Sequence, residues 1–111
     1  MNIPHDMYID GQWTGSSDDQ RIDIINPATL ETIDSVPKAT TSDLDGALAA
    51  ADRGWRHWRE VDAWTRSAKL RHIADWIRAH VQTIADVLTD EQGKPVPEAK
   101  GEIMATADQF D

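Results

Sequence analysis

The chain has 111 residues, 40% of them apolar, a formal charge of −9 and no cysteine. That length suffices for one small domain. The acidic balance argues against nucleic acid or an anionic membrane as partner, since phosphate binding needs clustered Lys and Arg, and the missing thiols exclude disulfides, thiolate metal sites and cysteine nucleophiles.

Acid is concentrated early, with seven acidic residues before Pro37 against Arg21 alone, a solvated surface rather than a site. The opening MNIPHDMYID has neither the basic nor the apolar region of a signal peptide. No apolar run is long enough to span a bilayer, so a cytoplasmic protein is expected. Residues 1–6 read as an N-terminal tail and 7–111 as the folded part.

The first third reads as β. In YIDGQW, Asp10-Gly11 accepts the positive φ angles of a two-residue hairpin turn, with Tyr8-Ile9 and Gln12-Trp13 as flanking strands. RIDII places Ile22 and Ile24, and TIDSV places Ile33 and Val36, as half-buried strand positions. Between them NPATLE supplies a turn, because Pro27 fixes φ and Asn26 can bond nearby backbone. Hairpins of this size need a cover to be stable.

After Pro37 the period becomes helical. Leu44, Ala47, Leu48, Ala51, Trp55 and Trp58 form one stripe, and Thr40 with Asp43 predicts a capping box in which Asp replaces the usual Glu or Gln. A second stripe runs through Leu70, Ile73, Ala74, Ile77, Val81, Ile84, Ala85 and Leu88, with Asp62 as its N-cap. It is one long helix or two joined near His80, a residue type enriched in left-handed backbone. Gly93 suits a left-handed C-terminal cap and Pro95 stops continuation. Pro97 and Glu98 suit the first turn of a further helix. That helix keeps Ile103, Ala107 and Phe110 apolar and has no stop signal, so the chain is expected to end inside it.

EQGKPVPEAKGE resembles the helix junction of the aldehyde dehydrogenase superfamily, most nearly its succinate-semialdehyde dehydrogenase branch. YIDGQW, NPATLETIDSVP, DLDGALAAADRGWRHWR and RSAKLRHIADWI resemble further segments of that family in the same order, so the likeness spans about Met7 to Asp111. The resemblance implies an α/β parent fold of which this segment is the N-terminal part: β-hairpins followed by three or four helices, within the cofactor-binding domain. It implies oxidation of a small-molecule aldehyde with NAD or NADP; a homo-oligomer is expected separately, from the apolar helix faces left bare. A cysteine thiolate attacks the aldehyde, hydride leaves to the nicotinamide, and a glutamate activates water. Those catalytic and cofactor-binding residues lie beyond this segment in the family, so no catalytic residue is assigned and the chain alone is expected to be inactive. The alternative is a non-catalytic standalone helical module that self-associates or binds a partner.

The resemblance also implies a monovalent cation, bound in some members by backbone carbonyls just before the Asn-Pro and by a carboxylate two residues before the helix-ending glycine. Here those positions are Ile24, Ile25 and Glu91. Leu30 departs from the family's frequent glycine. If the turn needs a positive φ there, leucine costs about 1 kcal/mol.

Other signals point to structure. His5, His57, His72 and His80 lack the spacing of a helical metal pair, and Trp55, Trp58 and Trp64 are expected to pack in the core. Lys94 lacks the glycine-rich loop of a phosphate site and is expected near the carbonyls that end the preceding helix. With the dinucleotide sheet absent, the Leu70–Leu88 stripe and the Ile103–Phe110 face are expected to be bare.

Overall fold

Two short hairpins precede four helices in the computed structural model, which describes residues 4–111. Part of the expected tail, residues 1–3, lies outside the described residues. In chain order the elements are β1 Met7–Ile9, β2 Gln12–Thr14, β3 Arg21–Ile25, β4 Thr32–Pro37, α1 Thr41–Trp58, α2 Ala63–Ala79, α3 Val81–Gln92 and α4 Val96–Asp108. The expected hairpins-then-helices order is the observed one. Among the described residues no helix is long and apolar enough to cross a membrane. The chain divides into two compact units, one reaching to Ile24 and including Thr32–Glu60, the other formed by Ile25–Glu31 and Val61–Asp111.

In the first unit β1 and β2 pair antiparallel with Tyr8 opposite Trp13 and Ile9 opposite Gln12. Asp10 and Gly11 take φ of 53° and 77°, the doubly left-handed turn whose twist matches paired strands. The Tyr8 and Trp13 rings meet at 4.8 Å across the pair. In the second hairpin the Arg21 guanidinium reaches across the strands to the Ser35 carbonyl at 2.7 Å and to its hydroxyl at 2.9 Å. Ile24 and Val36 are half-buried as expected, but Ile22 and Ile33 remain exposed.

The start of α1 is tied down by side chains. Thr40 and Asp43 form the expected capping box. The same Asp43 carboxylate also accepts the Ser17 N–H at 3.2 Å, and the Ser17 and Thr40 hydroxyls meet at 2.8 Å. Beside them lies the buried Ser16, whose hydroxyl is 2.6 Å from the Lys38 carbonyl and 2.7 Å from Asp18 Oδ1; its single proton serves one of them at a time. The bond from Ser16, with the Gln20 N–H, holds the Asp18 carboxyl below the usual carboxylate range.

The predicted Leu44–Trp58 stripe divides by size. Leu44, Leu48, Trp55 and Trp58 are all exposed, and α1 has no fully buried residue. Ala47 and Ala51 of that stripe, with Ala50 and Gly54, instead line a groove with Tyr8, Ile9, Asp10 and Gly11. Arg53 adds an exposed 2.7 Å ion pair with Asp10 on that side, a minor contribution in solvent.

The second unit packs α4 against both α2 and α3. Asp62 caps α2 as expected, accepting the Thr65 N–H at 3.0 Å and its hydroxyl at 2.6 Å. The second stripe resolves into two helices at His80, whose φ of −115° corrects the expected left-handed geometry. The His80 ring instead stacks on Trp76 with centroids 4.1 Å apart, its Nδ1 2.7 Å from the Trp76 carbonyl. Ala74, Ala85, Ala99 and Ala107 are fully buried, while among the described residues no large side chain is. Alanines at the contacts let helix axes approach closely and leave larger neighbours only half covered. Of the surfaces expected to be bare, Leu70 and Ile73 are exposed, but Ile77, Val81, Ile84, Leu88, Ile103 and Phe110 are half-buried because these helices cover one another. Arg78 binds Asp108 at 2.7 Å and Asp111 at 2.5 Å, fastening the end of α4 to α2. Those two bonds, Asp111 first, push the Arg78 pKa up.

Candidate functional site

The turn after β3 is built by Asn26. Its side-chain oxygen accepts the N–H groups of Ala28 at 2.9 Å and Thr29 at 3.3 Å, while its carbonyl accepts the Leu30 N–H at 2.8 Å. The turn closes with the Asn26 N–H donating to Glu31 at 2.9 Å. This geometry puts Leu30 at a φ of 62° with its side chain 79% exposed. The turn does impose a positive φ at this position, and leucine occupies it.

The same unit holds the end of α3. Gly93 is left-handed at φ 71° and donates to the Thr89 carbonyl at 2.8 Å, as the sequence predicts. A Cβ on Gly93 would sit only 3.0 Å from Cγ of Pro27. The Asn26-Pro27 turn thus rests directly on the glycine that ends α3, two residues after Glu91. Lys94 corrects its expected role. It pairs with the Glu102 carboxylate of α4 rather than capping α3, which leaves the last turn of α3 without a basic residue.

Of the three expected cation ligands, Ile25 immediately precedes Asn26 and Glu91 stands exposed in the last turn of α3, both in the second unit. Ile24 belongs to the first unit. The donors are suitable in kind, since backbone carbonyls and a carboxylate are hard oxygen ligands. Glu91 also sits where a helix end already concentrates negative charge, a place that favours cations. Nearby, the buried Thr89 hydroxyl oxygen has no hydrogen-bond partner among the described residues. Neither this hydroxyl nor the Pro27–Gly93 contact carries a sequence signal, because both arise from one segment folding onto another. Among the described residues no group of three or more His, Cys, Asp or Glu side chains is arranged to hold a metal ion. Trp64, expected in the core with Trp55 and Trp58, is instead 86% exposed at the start of α2.

Comparison with known proteins places the chain in a family. Residues 13–111 match the aldehyde dehydrogenase family. The chain is 43% identical over 100 residues to a glutarate-semialdehyde dehydrogenase of Pseudomonas putida, covering 90% of this chain and 21% of the relative. It is 40% identical over 97 residues to a succinate semialdehyde dehydrogenase of Acinetobacter baylyi, covering 87% and 20% respectively. A betaine aldehyde dehydrogenase from Staphylococcus aureus, solved in complex with NAD+, superposes with a TM-score of 0.94 at 33% identity, over 98% of this chain and 22% of that one. The chain therefore spans about a fifth of the length of the curated relatives it matches.

Proposed function

The chain belongs to the aldehyde dehydrogenase family, and on that premise we propose that it is the opening part of the cofactor-binding domain of an enzyme that oxidises a small carboxylate-bearing aldehyde with NAD+ or NADP+. Succinic and glutaric semialdehyde head the substrate class. The observation that carries this reading is the 43% and 40% identity to two semialdehyde dehydrogenases, each over most of this chain. A cytoplasmic, homo-oligomeric parent enzyme completes it. The nicotinamide cofactor would accept the hydride.

This chain's own residues supply scaffold. The sequence has no cysteine and hence no thiolate to attack a carbonyl carbon, so the chain by itself is inactive in this reading. A monovalent cation belongs to the same proposal, with the Ile25 carbonyl and the Glu91 carboxylate as donors and the Ile24 carbonyl preceding them. Its support is the Pro27–Gly93 contact and the uncompensated last turn of α3.

The test is a chimera in which this chain replaces the matching fifth of the Acinetobacter baylyi succinate semialdehyde dehydrogenase, assayed for NADH or NADPH formation. Retained oxidation of succinic semialdehyde supports the proposal. A folded, correctly assembled chimera without turnover counts against it, as does turnover by the isolated, uncontaminated chain.

A further inference from the structure

Aspartate is followed by glycine twice in this chain, and the two pairs sit in opposite kinds of backbone. Asp10-Gly11 forms the tip of the β1–β2 hairpin, at φ of 53° and 77°, between strands of only three residues each. Asp45-Gly46 lies within α1. All four residues are exposed, so access of solvent does not separate the pairs. The backbone does. In α1 the Gly46 N–H is committed to the carbonyl four residues back, and the helix fixes rotation between Asp45 and Gly46. In the hairpin the bonds that close a two-residue turn join the flanking Ile9 and Gln12, which leaves the Gly11 N–H outside them. Gly11 has no Cβ to hinder close approach, and one built there would meet nothing nearer than the Tyr8 hydroxyl at 4.0 Å. A hairpin this short also opens locally at little cost.

We propose that Asp10-Gly11 is a site of spontaneous backbone modification, at which aspartate converts to isoaspartate through a cyclic imide. The Gly11 nitrogen attacks Cγ of the neutral Asp10 carboxyl. An N–C bond forms, a C–O bond of the carboxyl breaks, and the hydroxyl leaves with the amide proton as water. Water then re-enters at either carbonyl of the ring. Entry at Cγ restores aspartate. Entry at the former backbone carbonyl leaves the chain running through the side chain, longer by one methylene and unchanged in mass. Arg53 restrains the reaction, because a neutral carboxyl has no charge to pair with the guanidinium, which stands 2.7 Å from Oδ2. The lengthened backbone does not fit a two-residue turn. The product therefore loses the pairing of Tyr8 with Trp13, their ring contact at 4.8 Å and the hairpin wall of the groove along α1.

The test incubates the whole 111-residue chain at physiological temperature and reads isoaspartate by enzymatic methyl transfer from S-adenosylmethionine. Trypsin separates the two pairs, since Arg21 and Lys38 lie between them, and electron-transfer fragmentation assigns the modified residue. In the folded chain isoaspartate should accumulate at Asp10 about tenfold or more faster than at Asp45, whose helix must open first. In denaturant the two should react at similar rates, because only the fold distinguishes them. Arg53→Ala should speed the Asp10 reaction by about two- to fivefold, the scale set by an exposed ion pair. Asp10→Asn reaches the same imide by losing ammonia, and should yield both aspartate and isoaspartate at that position faster than the parent does. Asp10→Glu would need a larger ring and should abolish the signal there. A folded chain that accumulates no isoaspartate at Asp10, or as much at Asp45 as at Asp10, overturns the proposal. An unchanged rate in Arg53→Ala overturns the restraint assigned to Arg53.

Discussion

Thr40 and Asp43 hold each other: the Asp43 carboxylate accepts the Thr40 N–H at 2.8 Å while the Thr40 hydroxyl accepts the Asp43 N–H at 3.2 Å. The Thr40 N–H does most to bring the Asp43 carboxyl down to about 2, with the Ser17 N–H adding to it. Because the folded-state pKa is depressed, the stabilisation is complete above the unfolded value of 3.8 and is lost as pH falls toward about 2. Denaturant titrations at several pH values should therefore show stability falling across that window, and less steeply in Asp43→Asn. Thr40→Ala should cost about 1 kcal/mol at neutral pH, the usual loss of a side-chain N-cap. An unchanged denaturation midpoint would show that the cap contributes nothing.

Leu30 is a second local test. Its φ of 62° is one that glycine adopts freely and leucine does not, and a side chain 79% exposed loses little packing when removed. Leu30→Gly relieves roughly 1–2 kcal/mol of backbone strain, offset by about 0.5–1 kcal/mol of added freedom in the unfolded chain. A net gain of about 0 to 1.5 kcal/mol follows. Leu30→Val should destabilise instead, since branching at Cβ tolerates this region less well. If both variants unfold at the same midpoint as the parent, the turn carries no strain.

Gly93 combines two restraints that can be separated. Gly93→Ala meets both the strain of φ 71° and the approach of Pro27 Cγ to 3.0 Å, and should cost about 1–2 kcal/mol. Asparagine tolerates left-handed backbone, so Gly93→Asn should recover the conformational part and leave only the contact. Equal losses in the two variants would assign the whole effect to the contact with Pro27.

What was legible in the sequence was the part decided within a few residues. The Asp10-Gly11 turn, the Thr40 and Asp62 caps and the left-handed Gly93 each depend on bonds that reach no more than four positions. The positive φ at Leu30 belongs with them, because the Asn26 turn dictates it locally. What was not legible was which side of α1 would meet the hairpin. The stripe read from the sequence holds both alanines and large side chains, and which of them meet the hairpin is decided by contacts between residues far apart in sequence. Lys94 was misplaced because its partner Glu102 lies eight residues on in α4, beyond the span that local capping patterns cover. In the candidate cation site the donors could be named only by resemblance, while the contact that brings the Asn26-Pro27 turn to Gly93 is tertiary and leaves no pattern in the chain.

The cation reading makes a prediction of its own, because an ion that binds only the folded state stabilises it by mass action. At a concentration ten times its dissociation constant the gain is about 1.4 kcal/mol, which for a domain of this size raises the thermal midpoint by about 5 °C or more. General screening must be held constant, since a strongly acidic chain gains from any salt. The comparison is therefore between sodium or potassium chloride and tetramethylammonium chloride at equal ionic strength; the bulky organic cation screens charge but cannot enter a cluster of oxygen ligands. The midpoint should be higher with the small ion. Glu91→Gln removes the charge from the one carboxylate in the expected set and should erase the difference while leaving the midpoint in tetramethylammonium unchanged or slightly raised, as an acidic group at the end of α3 opposes the helix dipole. Equal midpoints for the parent chain in all three salts, or a sodium or potassium effect that survives in Glu91→Gln, would mean that Glu91 is only a surface carboxylate.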